Sequence, residues 1–385
     1  MQKLIPLFCV NWIIFFFQFE SFGIGPVTVV RFLIFPFLLL YVFSVRRMNI
    51  YKSFSLLFCL FFCVFEVVSG VFNAEIHFCI QGIINFLTIV VFVDFLTKNK
   101  GLSYTNLLLF ASYDLSSILF YLITFSGVNL ATRFQGIYWD PNVMCVYIFI
   151  SFCAKMVLFS QEKRNMLKLI LGLFFLLDII VIFSSLSRAG ILGLGVTVLL
   201  VFFMYSKWLF SFLVGILSVV LGYMYHIAFS LTWSLSLTPL EALTYRLFVS
   251  STVELEEGGV GSRSDRLERL FESLEKGEVS LFGNGTNYLP DGEFMHNGIA
   301  EFILAAGIIL GTTFIGVFIY LICVNIIWPI LKGKRNLFLL FVLSFFIVTV
   351  FYSYLSFKSF WVFISFLLFL NIERVKVNNV NFVNM

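Results

Sequence analysis

Charged residues are scarce in this chain of 385 residues, of which 12% are Asp, Glu, Lys or Arg and 61% are hydrophobic. This scarcity excludes a water-soluble fold of such length, because too little polar surface would remain to face water. Ten-residue segments of alternating polarity are also lacking, which excludes a membrane barrel of strands. What remains is a series of apolar runs of about 17 to 25 residues, each able to cross a hydrocarbon core as a helix. The sequence therefore predicts an all-α, polytopic integral membrane helical bundle.

Signals of several other protein classes are missing too. The seven cysteines form no C-x-x-C pair and lie in apolar runs, as small core residues do. No cleavage site of small residues follows the apolar start, so we expect a retained first span. Basic residues are spread over loops on both sides, which does not support a nucleic-acid partner. The acidic cluster of Glu254, Glu256 and Glu257 indicates a solvated turn, so we expect no metal and no cofactor.

About twelve transmembrane helices are predicted, about nine of them in residues 1–231 and about three in residues 297–385. Their centres fall near Ile13, Phe37, Phe61, Leu87, Ile118, Phe149, Phe174, Val198, Val219, Phe314, Phe345 and Phe366. Lys and Arg recur in every second short loop, which places those loops and both termini in the cytoplasm. Lys155 is expected to snorkel to the same side. The fifty-three phenylalanines are expected to be lipid-facing bulk.

Between these two groups of spans, residues 232–296 hold eleven of the twenty-one acidic residues. This composition predicts one large loop on the outer side of the membrane. Nine of the twenty-five basic residues also map to the outer side, against the topological preference, which indicates a role for some of them. They are Arg31, Arg133, Arg188, Arg246, Arg263, Arg266, Arg269, Lys276 and Lys358.

Within the loop, residues 262–277 (SRSDRLERLFESLEKG) have the period of an amphipathic helix. Ser264 is the predicted N-cap and Gly277 the predicted stop. Arg263 and Arg266 then lie at the helix N-terminus, where the macrodipole favours an anion. The alternative is that these arginines pair with nearby glutamates. The apolar stripe, which we expect on the membrane face or the helical bundle, comprises Leu267, Leu270, Phe271 and Leu274.

The loop ends in a second polar segment, residues 281–298, which reads LFGNG…MHNG. Gly283 and Gly285 predict a tight turn that brings the backbone close to a ligand or a neighbouring helix. His296 and Asn297 follow at the outer end of the tenth span. A histidine held there can take a proton from a sugar hydroxyl near neutral pH. The alternative is a helix-capping histidine without chemistry.

Residues 184–190 (SSLSRAG) form a short polar segment between two apolar spans. Arg188 has no acidic residue near it in sequence, and an arginine at the edge of hydrocarbon is costly without an anionic partner. A diphosphate fits this need, because guanidinium binds phosphate with two parallel hydrogen bonds. The structural alternative is that Arg188 binds helix-end carbonyls or lipid headgroups.

Taken in order, RFQGIYWDPNVMCVY, SSLSRAGILGLG and GSRSDR…LFGNG…HN…GIILG resemble the landmarks of the O-antigen polymerase and O-antigen ligase superfamily. The resemblance covers roughly residues 133–311. It implies a bundle of the glycosyltransferase C type in the bacterial inner membrane, acting at the outer face on undecaprenyl-diphosphate-linked oligosaccharides. It also implies a metal-independent glycan transfer in which polyprenyl diphosphate leaves.

The resemblance further implies roles for individual residues. Arg188 would hold the diphosphate and His296 would position or deprotonate the acceptor hydroxyl, so both are catalytic candidates. The candidates for binding diphosphate or sugar are Arg133, Arg246, Arg263, Arg266 and Asn297. A polymerase, which uses a second lipid-linked repeat as acceptor, is favoured over a ligase, which uses the core sugar of lipid A. A chain-length regulator is a further candidate partner.

A flippase or transporter for the same lipids is the non-enzymatic alternative. It would need charged residues along a path through the spans. The candidates are Arg31, Glu66, Asp94, Asp114 and Asp178, most of which we expect to be local helix-packing or capping partners.

Overall fold

The computed structural model describes residues 4–19, 23–24, 27–28, 33–45, 47–48, 53–73, 76–124, 134–138, 140–228, 238, 241, 244–245, 248, 263–281, 283–284, 298–349 and 358–383. These residues are almost entirely helical, as the apolar runs predict. A short antiparallel pairing of β1 (Gly23–Ile24) with β2 (Val27–Thr28) lies between the first two helices.

The helices before the predicted outer loop are α1 (Leu4–Phe17), α2 (Phe35–Ser44), α3 (Phe54–Phe72), α4 (Ile76–Asn99), α5 (Tyr104–Ala111), α6 (Leu115–Thr124), α7 (Pro141–Gln161), α8 (Asn165–Ser184), α9 (Arg188–Tyr205) and α10 (Lys207–Ala228). The later helices are α11 (Arg263–Glu275), α12 (Gly298–Ile322), α13 (Trp328–Leu331), α14 (Leu337–Thr349) and α15 (Lys358–Val383). A π-helical stretch, Cys323–Ile327, joins α12 to α13.

Seven helical stretches in the described part of the chain are long and apolar enough to cross a membrane. They are Phe54–Phe72, Phe78–Asn99, Tyr104–Thr124, Pro141–Gln161, Asn165–Ser184, Lys207–Ala228 and Ala300–Leu331. Shorter apolar helices cover Leu4–Phe17, Phe35–Ser44 and Gly190–Tyr205. All the predicted span centres lie in helices, so the multi-pass helical class is confirmed. The number twelve, the large outer loop and the orientation of the termini stay predictions.

The described chain divides into two compact units. The first comprises Met1–Leu109, Arg266–Lys332 and Thr349–Met385. An aromatic cluster forms part of its interior, where the ring of Phe62 lies 4.2 Å from that of Phe314 and 6.3 Å from that of Trp361, centroid to centroid. Both phenylalanine rings are buried. The expectation that phenylalanines are lipid-facing bulk is wrong for this cluster, because the rings pack on one another between α3, α12 and α15.

Two buried carboxylates of the first unit have partners on neighbouring helices. Glu66 of α3 accepts a 3.0 Å hydrogen bond from the side-chain amide of Asn85 on α4. Asp94 of α4 accepts a 2.8 Å hydrogen bond from the Tyr41 hydroxyl of α2 and pairs with Lys98 one turn further on. Both acids therefore act as helix-packing partners, as predicted.

The second unit comprises Phe110–Asp265 and Gly333–Val348. Its central element is α7, which is buried around nearly its whole circumference. The ring of Tyr147 on α7 stacks on that of Tyr138 at 5.2 Å and meets that of Tyr113 at 5.9 Å. By contrast, α10 is exposed along most of its length within this unit, as a helix that faces lipid would be.

The amphipathic helix predicted in the loop is present as α11. It begins at Arg263, so Ser264 already lies inside the helix and the prediction of Ser264 as the N-cap is wrong. The predicted stop is confirmed, because Gly277 has φ 71° and the N–H groups of Gly277 and Glu278 donate to Leu274 and Ser273. This pattern is a Schellman motif, which favours glycine at its left-handed position.

One side of α11 packs against the first turns of α12. Leu270 is 2% exposed and lies in a small core with Val279, Ala300 and Leu304. Phe271 is 62% exposed and therefore lies outside that core. The buried part of the apolar stripe is thus narrower than the sequence pattern predicts.

Candidate functional site

Arg188 is the predicted site residue whose side chain falls in the described part of the chain. It is the first residue of α9 and is partly buried. Arg263 and Arg266 lie in the first turn of α11, as predicted, and their side chains are outside the described part. The remaining candidates also lie outside the described residues: Arg133, Arg246, His296 and Asn297.

Arg188 follows a tight turn between α8 and α9, residues 184–187, called here the serine turn. Ser185 is the C-cap residue of α8. Its hydroxyl donates a 2.6 Å hydrogen bond to the carbonyl of Ile182 and accepts one from the N–H of Ser187. Leu186 between them has φ 50°, a left-handed conformation that costs a residue with a side chain about 1–2 kcal/mol. The side-chain hydrogen bonds of the serines hold the chain in this conformation.

Ser187 links the serine turn to two helices. Its hydroxyl oxygen accepts a hydrogen bond from the N–H of Gly190 and so caps the N-terminus of α9. The same hydroxyl donates a 2.8 Å hydrogen bond to the side-chain oxygen of Asn142 in the first turn of α7. The position of Arg188 is therefore set by a cap that is itself anchored to α7.

The segment before α7, described for residues 134–138 and 140, contacts the serine turn through its backbone. The N–H of Phe134 donates a 3.0 Å hydrogen bond to the carbonyl of Ser184. Gly136 has φ 58°, and a Cβ atom there would lie 3.0 Å from the Ser117 hydroxyl oxygen. Asp140 then caps α7 by accepting hydrogen bonds from the N–H groups of Asn142 and Val143. Two of the three sequence landmarks are thus direct neighbours in the fold.

Close contact between α7 and α9 depends on Gly190. A Cβ atom at this position would lie 2.7 Å from the sulfur of Cys145, closer than real side chains approach. Cys145 in turn contacts the hydroxyl of Ser185 at 3.0 Å. The small residues of the SSLSRAG motif therefore allow the start of α9 to lie against α7.

The electrostatics of this arrangement favour an anion. The N-termini of α7 and α9 are joined by the hydrogen bond between Ser187 and Asn142, and each helix N-terminus carries a partial positive charge. The Asp140 carboxylate offsets that charge at α7, while the guanidinium of Arg188 adds a full positive charge at α9. Such a helix start with an adjacent arginine is suited to bind phosphate oxygens.

A second polar group lies in the same unit and corrects the expectation for Lys155. Instead of snorkelling, Lys155 is 3% exposed, and its ammonium donates to the carboxylates of Asp114, just before α6, and Asp178 on α8. The reason is that α7 is enclosed on nearly all sides, so an ion pair inside the bundle replaces a route to water. In the sequence, the ion pair was indicated by the opposite charges of Lys155 and the two aspartates, which lie within neighbouring apolar runs.

The LFGNG turn lies against a break in α12. Gly307 has φ 80° and ψ 173°, which interrupts the helix. Gly283 has φ 85°, and a Cβ atom on either glycine would overlap backbone atoms of the other segment. The N–H of Asn284 donates a 2.7 Å hydrogen bond to the carbonyl of Leu304. Gly283 therefore brings the backbone close to a neighbouring helix, one of the two outcomes predicted for this turn; Gly285 lies outside the described residues.

Within the described ranges, no group of three or more His, Cys, Asp or Glu side chains could hold a metal ion. The expectation that no metal takes part in the function stays a prediction. No protein-family model, curated protein or solved structure matches the chain.

Proposed function

We propose that the chain is an integral-membrane glycosyltransferase that joins lipid-linked oligosaccharide repeats, the activity of an O-antigen polymerase. The observation that carries the proposal is the position of Arg188, at the N-terminus of α9 and next to a cap that is anchored to α7. A cation at the positive end of a helix suits the diphosphate of an undecaprenyl-diphosphate-linked glycan.

The proposed reaction transfers the growing glycan from one lipid carrier to the next repeat. A hydroxyl oxygen of the incoming repeat attacks the anomeric carbon of the donor glycan. The bond from that carbon to the diphosphate oxygen breaks, and polyprenyl diphosphate leaves with the bonding electrons. Arg188 stabilises the negative charge that develops on the leaving group, as fixed cations do without a metal. His296 orients the acceptor hydroxyl or takes its proton.

Other candidates complete the proposed site. The proposed ligands of diphosphate or sugar oxygens are Arg133, Arg246, Asn297 and either Arg263 or Arg266. The site faces the outer side of the bacterial inner membrane, and both termini lie in the cytoplasm. Support for this orientation comes from lysines at helix ends, such as Lys98 in the last turn of α4 and Lys332 after α13. Because nucleotide sugars are not supplied there, the donor brings its own leaving group.

A transporter of lipid-linked glycans is the second candidate. The observation that favours it is the group of Asp114, Lys155 and Asp178 inside predicted spans, because intramembrane charges often mark transport pathways. An O-antigen ligase would share the proposed donor site and differ in its acceptor, the core sugar of lipid A.

The test is complementation of a strain that lacks the gene. Surface polysaccharide is separated on a gel from cells carrying the wild-type chain, Arg188→Ala, Arg188→Lys or His296→Ala, with the amount of each protein checked by blot. The control is Arg164→Ala, because Arg164 is 71% exposed and pairs with Glu162 in the loop between α7 and α8.

The polymerase proposal predicts a ladder with wild type and Arg164→Ala, and core plus a single repeat with Arg188→Ala and His296→Ala. Arg188→Lys should restore only short ladders, because an ammonium lacks the paired donors of guanidinium. Loss of every repeat from the core, with long lipid-linked chains accumulating, would indicate a ligase. Unchanged ladders in the Arg188 and His296 variants would contradict the catalytic roles and favour transport.

A further inference from the structure

Asp114, Lys155 and Asp178 take no part in the proposed transfer, yet they bring three ionisable side chains together inside the second unit. The Lys155 ammonium donates to the Oδ2 atoms of both aspartates, with a distance of 2.6 Å to Asp178. Both aspartate side chains are 0% exposed. Because both carboxylates contact the same ammonium nitrogen, they are also close neighbours of each other.

The charges of this group do not balance when all three side chains are ionised. Two carboxylates and one ammonium then carry a net charge of about −1, and an uncompensated buried charge costs several kcal/mol. Two carboxylates that share one site resist simultaneous ionisation. Among the described residues, Lys155 is the cation that contacts these carboxylates. One bound proton would make the group neutral.

The hydrogen bonds distinguish the two aspartates. Asp114 accepts from Lys155 at Oδ2, and its Oδ1 lies 2.9 Å from the Ser151 hydroxyl, which shares its single proton between this oxygen and the carbonyl of Ala111 at 2.6 Å. Asp178 accepts from Lys155 at Oδ2, while its buried Oδ1 has no hydrogen-bond donor in the described part of the chain. Donors stabilise the ionised form of a carboxyl group, so Asp114 is the better anion and Asp178 the better proton carrier.

Among the residues that the structure describes, the other groups around Asp178 do not supply the missing positive charge. On α7, the thiol of Cys153 interacts electrostatically with Asp178, and a thiol carries no positive charge in either protonation state. On α8 itself, the ring of Phe174 lies 5.4 Å from the Lys155 ammonium, a contact that stabilises the cation already counted. On α9, the charged residue is Arg188, which lies beyond the end of α8.

We propose that Asp114, Lys155 and Asp178 form a proton-binding site, in which the Asp178 carboxyl group holds one exchangeable proton that it takes from water and returns to water. The bound proton keeps the group neutral and lets α6, α7 and α8 pack around it. Release of the proton leaves two carboxylates on different elements that repel each other. Proton occupancy therefore influences the packing of these three helices, whichever reaction the protein carries out.

The experiment measures the proton directly by infrared spectroscopy. The full chain is placed in lipid nanodiscs, with aspartate carboxyl carbons labelled with ¹³C so that their bands separate from those of glutamates. Wild type is compared with Asp178→Asn, Asp114→Asn and Glu66→Gln. Asparagine resembles a protonated aspartic acid in shape, so Asp178→Asn should fold, and size-exclusion chromatography checks this.

The expected result is an isotope-shifted band of a protonated aspartic acid in wild type at neutral pH that disappears as the pH is raised. Asp178→Asn should lack the band. Asp114→Asn should lack it as well, because Asp178 then pairs one-to-one with Lys155. Glu66→Gln should keep it. The proposal is overturned if wild type shows no such band, or if the band persists in folded Asp178→Asn. If Asp178→Asn does not fold, the proposal is overturned by a wild-type band whose intensity does not change with pH.

Discussion

The hydroxyl of Ser187 donates a 2.8 Å hydrogen bond to the side-chain oxygen of Asn142, although the two residues are 45 positions apart in the chain. Since Ser187 also caps α9, this bond ties the start of α9 to the start of α7. It thereby fixes the start of α9, where Arg188 is the first residue, beside the first turn of α7.

Ser187→Ala should destabilise the protein by about 1 kcal/mol, because the substitution removes an N-cap as well as the link to Asn142. Thermal unfolding in detergent, followed by fluorescence, measures the effect. Ser218→Ala is the control, since that exposed hydroxyl bonds within its own helix to the Val214 carbonyl. The double variant Ser187→Ala/Asn142→Ala should lose less stability than the sum of the losses in the two single variants. Full additivity would contradict the proposed link.

Gly190→Ala should destabilise the protein by about 1–3 kcal/mol, because its methyl group would overlap Cys145. Gly195→Ala on the same helix is the control: nothing lies within 4 Å of a Cβ atom there. Since alanine favours a helix over glycine by about 0.5–1 kcal/mol, the control should be neutral or more stable. Equal unfolding temperatures for the two variants would show that α7 and α9 do not pack as described.

Gly307→Ala should destabilise the folded protein by at least about 2 kcal/mol, since the alanine would need a left-handed backbone and its methyl group would overlap the carbonyl of Leu281. Gly283→Ala should behave in the same way, because the two glycines face each other. Gly316→Ala, later in α12 and without neighbours within 4 Å, should unfold at or above the wild-type temperature. The yield of monodisperse protein and its unfolding temperature are the measurements. Normal folding of Gly307→Ala would contradict the break in α12.

Lys155→Met should destabilise the protein by about 3–5 kcal/mol, because it leaves Asp114 and Asp178 buried without their cation. Adding Asp114→Asn and Asp178→Asn to that variant should recover most of the loss, since the triple variant contains no buried charge at this place. Unfolding temperatures of the three single variants and the triple variant test this. If the triple variant is no more stable than Lys155→Met, the charges are not what destabilises it.

Leu270→Ala should destabilise the packing of α11 against α12 by about 2–5 kcal/mol, because the Leu270 side chain fills the small core with Ala300 and Leu304. Phe271→Ala is the matched control on the next position and should change stability by less than about 0.5 kcal/mol, because its ring is exposed. Limited proteolysis of the loop reports the docking of α11. Equal protection in both variants would contradict that docking.

The helical class and the positions of the helices could be predicted from single segments of sequence. In hydrocarbon, a backbone must satisfy its own hydrogen bonds, so a long apolar run has the helix as its stable form. Gly277 as a stop was readable for a similar local reason, because glycine adopts the left-handed conformation without strain. The prediction of Ser264 as the N-cap placed the first helical residue at 265, whereas α11 begins two residues earlier, at Arg263.

The candidate site was readable only in part. The polar segment around Arg188 was visible in the sequence because its polar residues interrupt two apolar runs. Its contact with residues 134–138, through Phe134 and Ser184, was not visible, because those segments meet only when α7 and α8 pack together. The narrow buried stripe of α11 also depends on which neighbours α12 supplies.

By itself, the sequence determined which segments become helices, where polar turns interrupt them and which of its residues are charged. Only the tertiary structure decided that Lys155 lies between Asp114 and Asp178, and that Gly283 meets Gly307. The physical reason is the distance along the chain over which each kind of interaction acts. Helix formation depends on neighbours within one or two turns, whereas an ion pair or a backbone contact depends on which distant helices pack side by side.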